Sequence, residues 1–267
     1  EGRYLAGVAA GMKLVEMENA NQLKAANYED GNVKIGYVGA YPYAEVVSGY
    51  TSFFLGVRSV VDEKTDHSVV MEVTYTSSWF DESAEREAAS TLISNGAALI
   101  SQHADSMGAP SACEKAGVPN VSYNGSTASD CETTYIISSR INWVPYFEYM
   151  IDCVKNDKAI DVDWTGTIAT NSVVLTEVGA AAAEGTQAKI DEVKAQLQAG
   201  TLHVFDTSKF TVGGQTLTSY MADVNTDANY EKDTEAIKDG YFHESEYRSA
   251  PYFDIRIDGI TELSSAS

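Results

Sequence analysis

The sequence predicts an α/β protein built on an open, mostly parallel sheet, and three observations carry that prediction. Short apolar runs of strand length recur from Val33 onward, at 34–39, 69–75, 97–101, 119–123 and 135–138. Between them lie segments with apolar residues at helical spacing, such as Val46, Val47, Tyr50, Phe53, Phe54 and Val57. Capping and turn residues punctuate the two, with Asp81 before a helix at 82–94 and Asn95-Gly96 after it. Short strands alternating with helices feed a parallel sheet through crossovers, so all the strands share one direction.

Taken in order, residues 3–16 form an apolar helix with no capping residue or initiator Met before it, which reads as a mid-domain start to a piece of something longer. The strand 34–39 and a helix over 45–60 come next, then the strand 69–75 and the helix 82–94. A strand at 97–101, a short helix at 107–116 and strands at 119–123 and 135–138 continue the alternation. The helix at 144–155 carries Pro145 in its first turn, where its missing N–H costs nothing. Beyond about Ile160 the character changes. Residues 172–175 and 202–205 read as strands around an amphipathic helix at 186–198 with Ile190, Val193 and Leu197 on one face. Gly213-Gly214 and Asp258-Gly259 each sit between short apolar arms and predict two hairpins. This last part reads as a second lobe, which the first helix joins.

At 267 residues the chain has ample length for a buried core, and 44% hydrophobic with 21% charged residues is the balance of a globular protein. The net charge of -21 excludes a nucleic-acid partner and an anionic membrane surface, both of which need clustered Lys and Arg. No apolar run reaches the roughly 18 residues of a membrane span. Cys113, Cys131 and Cys153 match no metal-ligand spacing, so neither a metal nor a cofactor is predicted. Cys153 falls on the apolar face of its helix, and Cys113 and Cys131 either pair in an exported protein or stay free. The sequence contains no nucleophile elbow, phosphate loop, zinc-protease helix or dinucleotide fingerprint.

The residues just beyond each strand are more telling. Tyr41-Pro42-Tyr43 comes after the first, Trp79-Phe80-Asp81 after the second, His103-Ala104-Asp105 after the third, Asn124-Gly125-Ser126 after the fourth and Arg140-Ile141-Asn142-Trp143 after the fifth. Parallel strands bring these ends to one edge, where open α/β sheets bind ligands. Each residue also has a structural alternative. Trp79 either stacks on a ligand or covers the sheet edge, while Asp81 reads first as a helix cap. Asp105 is either a ligand contact or a cap for the next helix. His103 reads as a structural histidine, Arg140 as a brace for the acidic edge, and Asn142 as a cap.

The ordered series Arg3-Tyr4-Leu5-Ala6-Gly7, Ile35-Gly36-Tyr37-Val38-Gly39, Ser78-Trp79-Phe80-Asp81, Gln102-His103-Ala104-Asp105-Ser106 and Asn142-Trp143 with Pro145-Tyr146 resembles the basic membrane protein family. These are substrate-binding lipoproteins of ABC importers that include purine nucleoside receptors. The resemblance implies a periplasmic-binding-protein-like α/β fold of two lobes, each a mostly parallel sheet flanked by helices, closing on a ligand. Residues 33–171 would form the second lobe, with 1–32 and 172–267 parts of a first lobe that is incomplete at its N-terminus. It further implies an extracytoplasmic monomer, lipid-anchored or periplasmic, that binds a purine nucleoside, nucleobase or similar small cyclic ligand and serves a permease. Carried over by position, Trp79 would stack on the ring beside Phe80, and Asp105 would bond its polar edge. Asn124 would face a ribose or base edge, and Asn142 with Trp143 would line the far wall. Tyr41 and Arg140 complete the expected site. The alternatives are a nucleoside hydrolase using Asp105 and His103, and the ligand-sensing domain of a receptor.

Overall fold

The computed structural model describes residues 1–225 and 227–263. The chain runs through α1 (Gly2–Asn19), β1 (Tyr28–Glu29), β2 (Asn32–Gly39), α2 (Ala44–Lys64), β3 (Val69–Tyr75), α3 (Glu82–Ser94) and β4 (Ile100–His103). There follow α4 (Gly108–Ala116), β5 (Asn120–Tyr123), β6 (Tyr135–Ile141), α5 (Val144–Lys155), β7 (Val173–Leu175) and α6 (Thr186–Gln198). Five short strands finish it: β8 (Met221–Ala222), β9 (Thr234–Glu235), β10 (Ile237–Lys238), β11 (Tyr241–Phe242) and β12 (Ile260–Glu262).

The main sheet has the order β12-β3-β2-β4-β5-β6-β7, with β1 paired to β2. The strands from β12 to β6 are parallel, while β1 and β7 join antiparallel. The central strand β2 is buried on both faces, which explains its nearly continuous apolar sequence. Ile35 and Tyr37 face the core shared with α1 and α2, and Val38 faces a smaller core with Leu92 of α3 and Ala109 of α4. Helices therefore cover both faces, as predicted. On the first face α1 and α2 approach closely at glycines: a Cβ on Gly7 would stand 2.1 Å from the Phe53 carbonyl oxygen, and one on Gly56 2.1 Å from that of Tyr4.

The described residues of 1–32 and 172–263 pack on or pair with the sheet of 33–171, and several local expectations need correction. Helix α1 packs on α2, β7 pairs with β6, and β12 pairs with β3. Phe205, Phe210, Phe242 and Phe253 enter the same core as Leu5 and Phe54, with Phe205 stacked on Phe253 at 4.1 Å. Among the described residues, the strands after α6 pair with one another only as two-residue antiparallel ladders, β8 with β9 and β10 with β11. These are too small to enclose a core of their own, so the aromatics of this part join the main core. Residues 202–205 are not a strand. The Gly213-Gly214 turn forms, with φ of +58° and +77° and a Val212–Gln215 bridge, but its arms do not extend. The second hairpin does not form. The Asp258 carboxylate accepts from Thr211 Oγ1 and from the Gly213 and Gly214 amides, holding 255–257 in irregular chain. Beyond Gly259, β12 runs instead along the edge of β3. The strand expected at 97–101 lies later, at Ile100–His103.

Candidate ligand-binding site at the strand ends

The chain leaves β2 for β3 on one side and later returns to β4 on the other, so the strand order reverses between β2 and β4. Such a switch point opens a crevice at the carboxyl ends of the strands. Gly39 and His103 are register partners there, and the Ala40 amide donates to the His103 carbonyl at 3.0 Å. The residues just beyond them are therefore forced together over the crevice.

An aromatic wall stands at this point. Tyr41 and Tyr43 stack at 5.0 Å between centroids, Trp79 packs 5.6 Å from Tyr41, and the His103 ring meets Trp79 edge-on at 5.9 Å. Trp79 is held by its backbone, whose carbonyl accepts from the Asp105 amide at 2.8 Å. Asp105 itself is exposed. Partial burial, with Glu45 nearby, raises its carboxyl above the usual range. It caps no helix, because Ser106 Oγ accepts from the Gly108 amide at the start of α4 instead. Asp81 is a true cap, accepting from the Ser83 and Ala84 amides at 3.1 and 3.0 Å.

Behind the wall lies a charged group that the sequence did not reveal. Arg3 reaches from α1 to donate to the Gln102 carbonyl at 2.9 Å, and its guanidinium lies 3.6 Å from the centre of the Tyr123 ring. Glu45, in the first turn of α2, stands 3.6 Å from His103 Nε2. Burial and then Arg3 depress the His103 pKa to about 4, so the imidazole is neutral at pH 7. The proximity of His103 keeps the Glu45 carboxyl low. His103 Nε2 thus faces Glu45, and among the described residues no hydrogen bond joins His103 to Asp105.

The other predicted residues are spread along the same edge. Asn124, exposed and in the left-handed region at φ +64°, lies just past β5, and the exposed Arg140 lies at the end of β6. Among the described residues no ion pair involves Arg140, so the bracing expected of it is not seen. Asn142 Oδ1 accepts from the Val144 amide and its Nδ2 donates to the Asn171 carbonyl, so its amide is occupied locally. Trp143 is 56% exposed and packs with Tyr146 and Phe147, away from the Trp79 group. Phe80 is 70% exposed and outside the aromatic wall. Cys113 and Cys131 are buried free thiols, as is Cys153. Tyr43 belongs to the predicted cluster after the first strand, whereas Tyr123, at the end of the predicted strand 119–123, and Glu45, at the start of the predicted helix 45–60, are additions close to the same edge. Arg3 carries no such signal, being one polar residue in an apolar helix.

Among the described residues, two of the cavities are large enough for a small ligand. The larger, about 910 Å³ between α2, α6 and residues 201–209, lies away from the strand ends. Its charges neutralise one another, with Arg58 on Asp62 and Lys189 between Glu63 and Glu192. The second, about 540 Å³, opens at the strand ends and is lined by Arg3, Glu45, Gly49, His103, Tyr123 and Glu244, among others. Its position over the switch point makes it the better candidate.

The family model for PnrA-like substrate-binding proteins of ABC transporters matches residues 1–200. The chain belongs to this family. A Haloferax volcanii protein with the provisional name ABC transporter glucose-binding protein TsgA13 is 31% identical over 211 residues, 79% of this chain and 48% of that protein. A purine-binding protein of Brucella abortus is 32% identical over 147 residues, 55% of this chain and 36% of that one. The chain thus spans half or less of these relatives' length. Among solved structures, an ABC-transporter solute-binding protein from Aeropyrum pernix superposes with a TM-score of 0.61 at 14% identity, over 77% of this chain and 64% of its own. Another from Conexibacter woesei gives 0.52 at 22% identity, over 75% and 61%. At such identities the likeness speaks for the fold alone. No helix among the described residues is long and apolar enough to cross a membrane.

Proposed function

We propose that this chain supplies the ligand-contacting edge of an extracytoplasmic solute-binding protein, lipid-anchored or periplasmic. It captures a nucleoside, nucleobase or related small cyclic ligand and hands it to an ABC permease. The observation that carries the reading is the wall of Trp79, Tyr41 and Tyr43 above the β2–β4 switch point. Such a wall takes a flat ring, and a carboxylate beside it, Asp105, takes a hydrogen-bond donor on the ring's edge. A carrier needs no catalytic group, and His103 Nε2 facing Glu45 rather than Asp105 favours binding over hydrolysis.

A two-lobed closure is supported by α5. Val144, Phe147, Ile151 and Val154 recur at helical spacing and are 55, 52, 52 and 72% exposed. The opposing lobe, moving on a hinge, would bury that stripe and leave Asn142 and Trp143 on a wall of the closed cleft. In the full-length protein, Trp79→Ala should weaken adenosine binding by about 1–3 kcal/mol, the cost of losing base–aromatic stacking. Isothermal titration calorimetry measures this, and an unchanged affinity would remove Trp79 from the site. Incubation with a nucleoside panel separates the carrier from the hydrolase, since only the enzyme releases free base.

A further inference from the structure

Three residues that line the cavity of about 540 Å³ each carry a buried side-chain atom with no hydrogen-bond partner among the described residues: Arg3 Nη2, His103 Nδ1 and Glu244 Oε2. Leaving a buried charged or polar atom unpaired is costly, so a concentration of three on one cavity marks a place built for an occupant. His103 is only 3% exposed and Arg3 is anchored by Gln102 and Tyr123. Glu244 is held through its other oxygen, which accepts from Ser48 Oγ at 3.1 Å and the Tyr252 amide at 3.2 Å. Gly49 keeps the space beside them open, since a Cβ there would stand 3.0 Å from His103 Nδ1 and 3.7 Å from Arg3 Nε.

The unpaired atoms offer both donor and acceptor capacity, which hydroxyl groups satisfy from a single atom. The tyrosines of the lining are already engaged: Tyr123 is covered by Arg3, and Tyr241 stacks on His203 and His243. Four acidic side chains, Glu1, Glu45, Glu244 and Glu246, outnumber the Arg3 and Arg140 cations along the lining even with Glu244 partly protonated, so an anionic group is disfavoured. Resting on the carrier reading above, we propose that this cavity is a hydroxyl-binding subsite. In it Arg3 and Glu244 hold the sugar ring of an uncharged ligand, with His103 shared between this subsite and the Trp79 wall.

Calorimetry on the full-length protein with adenosine, glucose, adenine and AMP tests it. Adenosine or glucose should bind more tightly than adenine, and AMP more weakly than adenosine. Arg3→Met and the isosteric Glu244→Gln should each weaken the hydroxylated ligand about tenfold or more, as loss of a hydrogen bond to a charged group does. Adenine affinity should move far less in both variants. Thermal unfolding checks that each is folded, and Glu244→Gln decides the matter if Arg3→Met is not. Unchanged adenosine and glucose affinity in folded variants, with Trp79→Ala still damaging, overturns the subsite and leaves the carrier reading standing. AMP binding as tightly as adenosine also overturns it. No binding of any of the four overturns both.

Discussion

Glu244 is the residue whose environment makes the sharpest demand. Its carboxyl is pushed up to about 7, chiefly by burial, against the hydrogen bonds from Ser48 and the 252–253 backbone. A carboxyl whose folded pKa is raised contributes stability that is whole below the unfolded pKa near 4.5 and lost as pH climbs through 7. His103 runs in the opposite sense, its folded pKa of about 4 costing stability as pH falls below 6.5. The wild-type curve sums both, but the difference between Glu244→Gln and wild type isolates the glutamate. That difference in melting temperature should grow in the variant's favour from about pH 4.5 to pH 8. Differential scanning calorimetry across this range checks it, and a constant difference would refute it. At this scale the sequence was legible where a residue's role is local. Asp81 reads as a cap and is one, because its partners are two and three residues away. Asp105 was open to the same reading and is not a cap, because Ser106 reaches the amide first.

Among the elements, the crossing of α1 and α2 is the most tightly specified. The carbonyls of Phe53 and Tyr4 occupy the space where side chains on Gly7 and Gly56 would stand. Alanine normally favours a helix over glycine by roughly 0.5–1 kcal/mol, but here the helices must separate to admit it. Overpacking of this kind costs about 1–3 kcal/mol or more, which outweighs the propensity gain. Gly7→Ala should therefore lower the urea midpoint of unfolding, and a raised midpoint would show that the helices yield freely. The helices at 82–94, 144–155 and 186–198 were legible to the residue, since periodicity and caps are written locally. The strands of the C-terminal part were not. Ile255–Ile257 and β12 have the composition of hairpin arms, yet β12 pairs with β3, where Glu262 accepts from Tyr75 and Tyr50 at 2.6 and 2.7 Å.

For the whole molecule, charge sets the conditions of folding. Thirty-nine acidic residues against 18 basic ones leave -21, and few of the acids are paired. At about 0.1 M salt these charges interact over about 10 Å, and at 1 M over about 3 Å. Self-repulsion should therefore fall and the melting temperature rise as sodium chloride is raised from about 0.05 to 1 M. A flat or falling thermal midpoint over that range would show that the surface charges are too dispersed to matter.

The sequence by itself determined the α/β class, the order of helices and strands from β2 through α5, and the edge to which the strand-end residues belong. Those derive from periods of two and 3.6 residues and from the common direction of parallel strands. Only the tertiary structure decided that Arg3 and Glu244 share a cavity with His103, that the C-terminal part joins the first core, and that Trp143 stands away from Trp79. Arg3 meets Gln102 across 99 residues and Ser48 meets Glu244 across 196. Contacts at such separations leave no periodic trace, because they are set by how the packed elements meet rather than by the order of residues within any one of them.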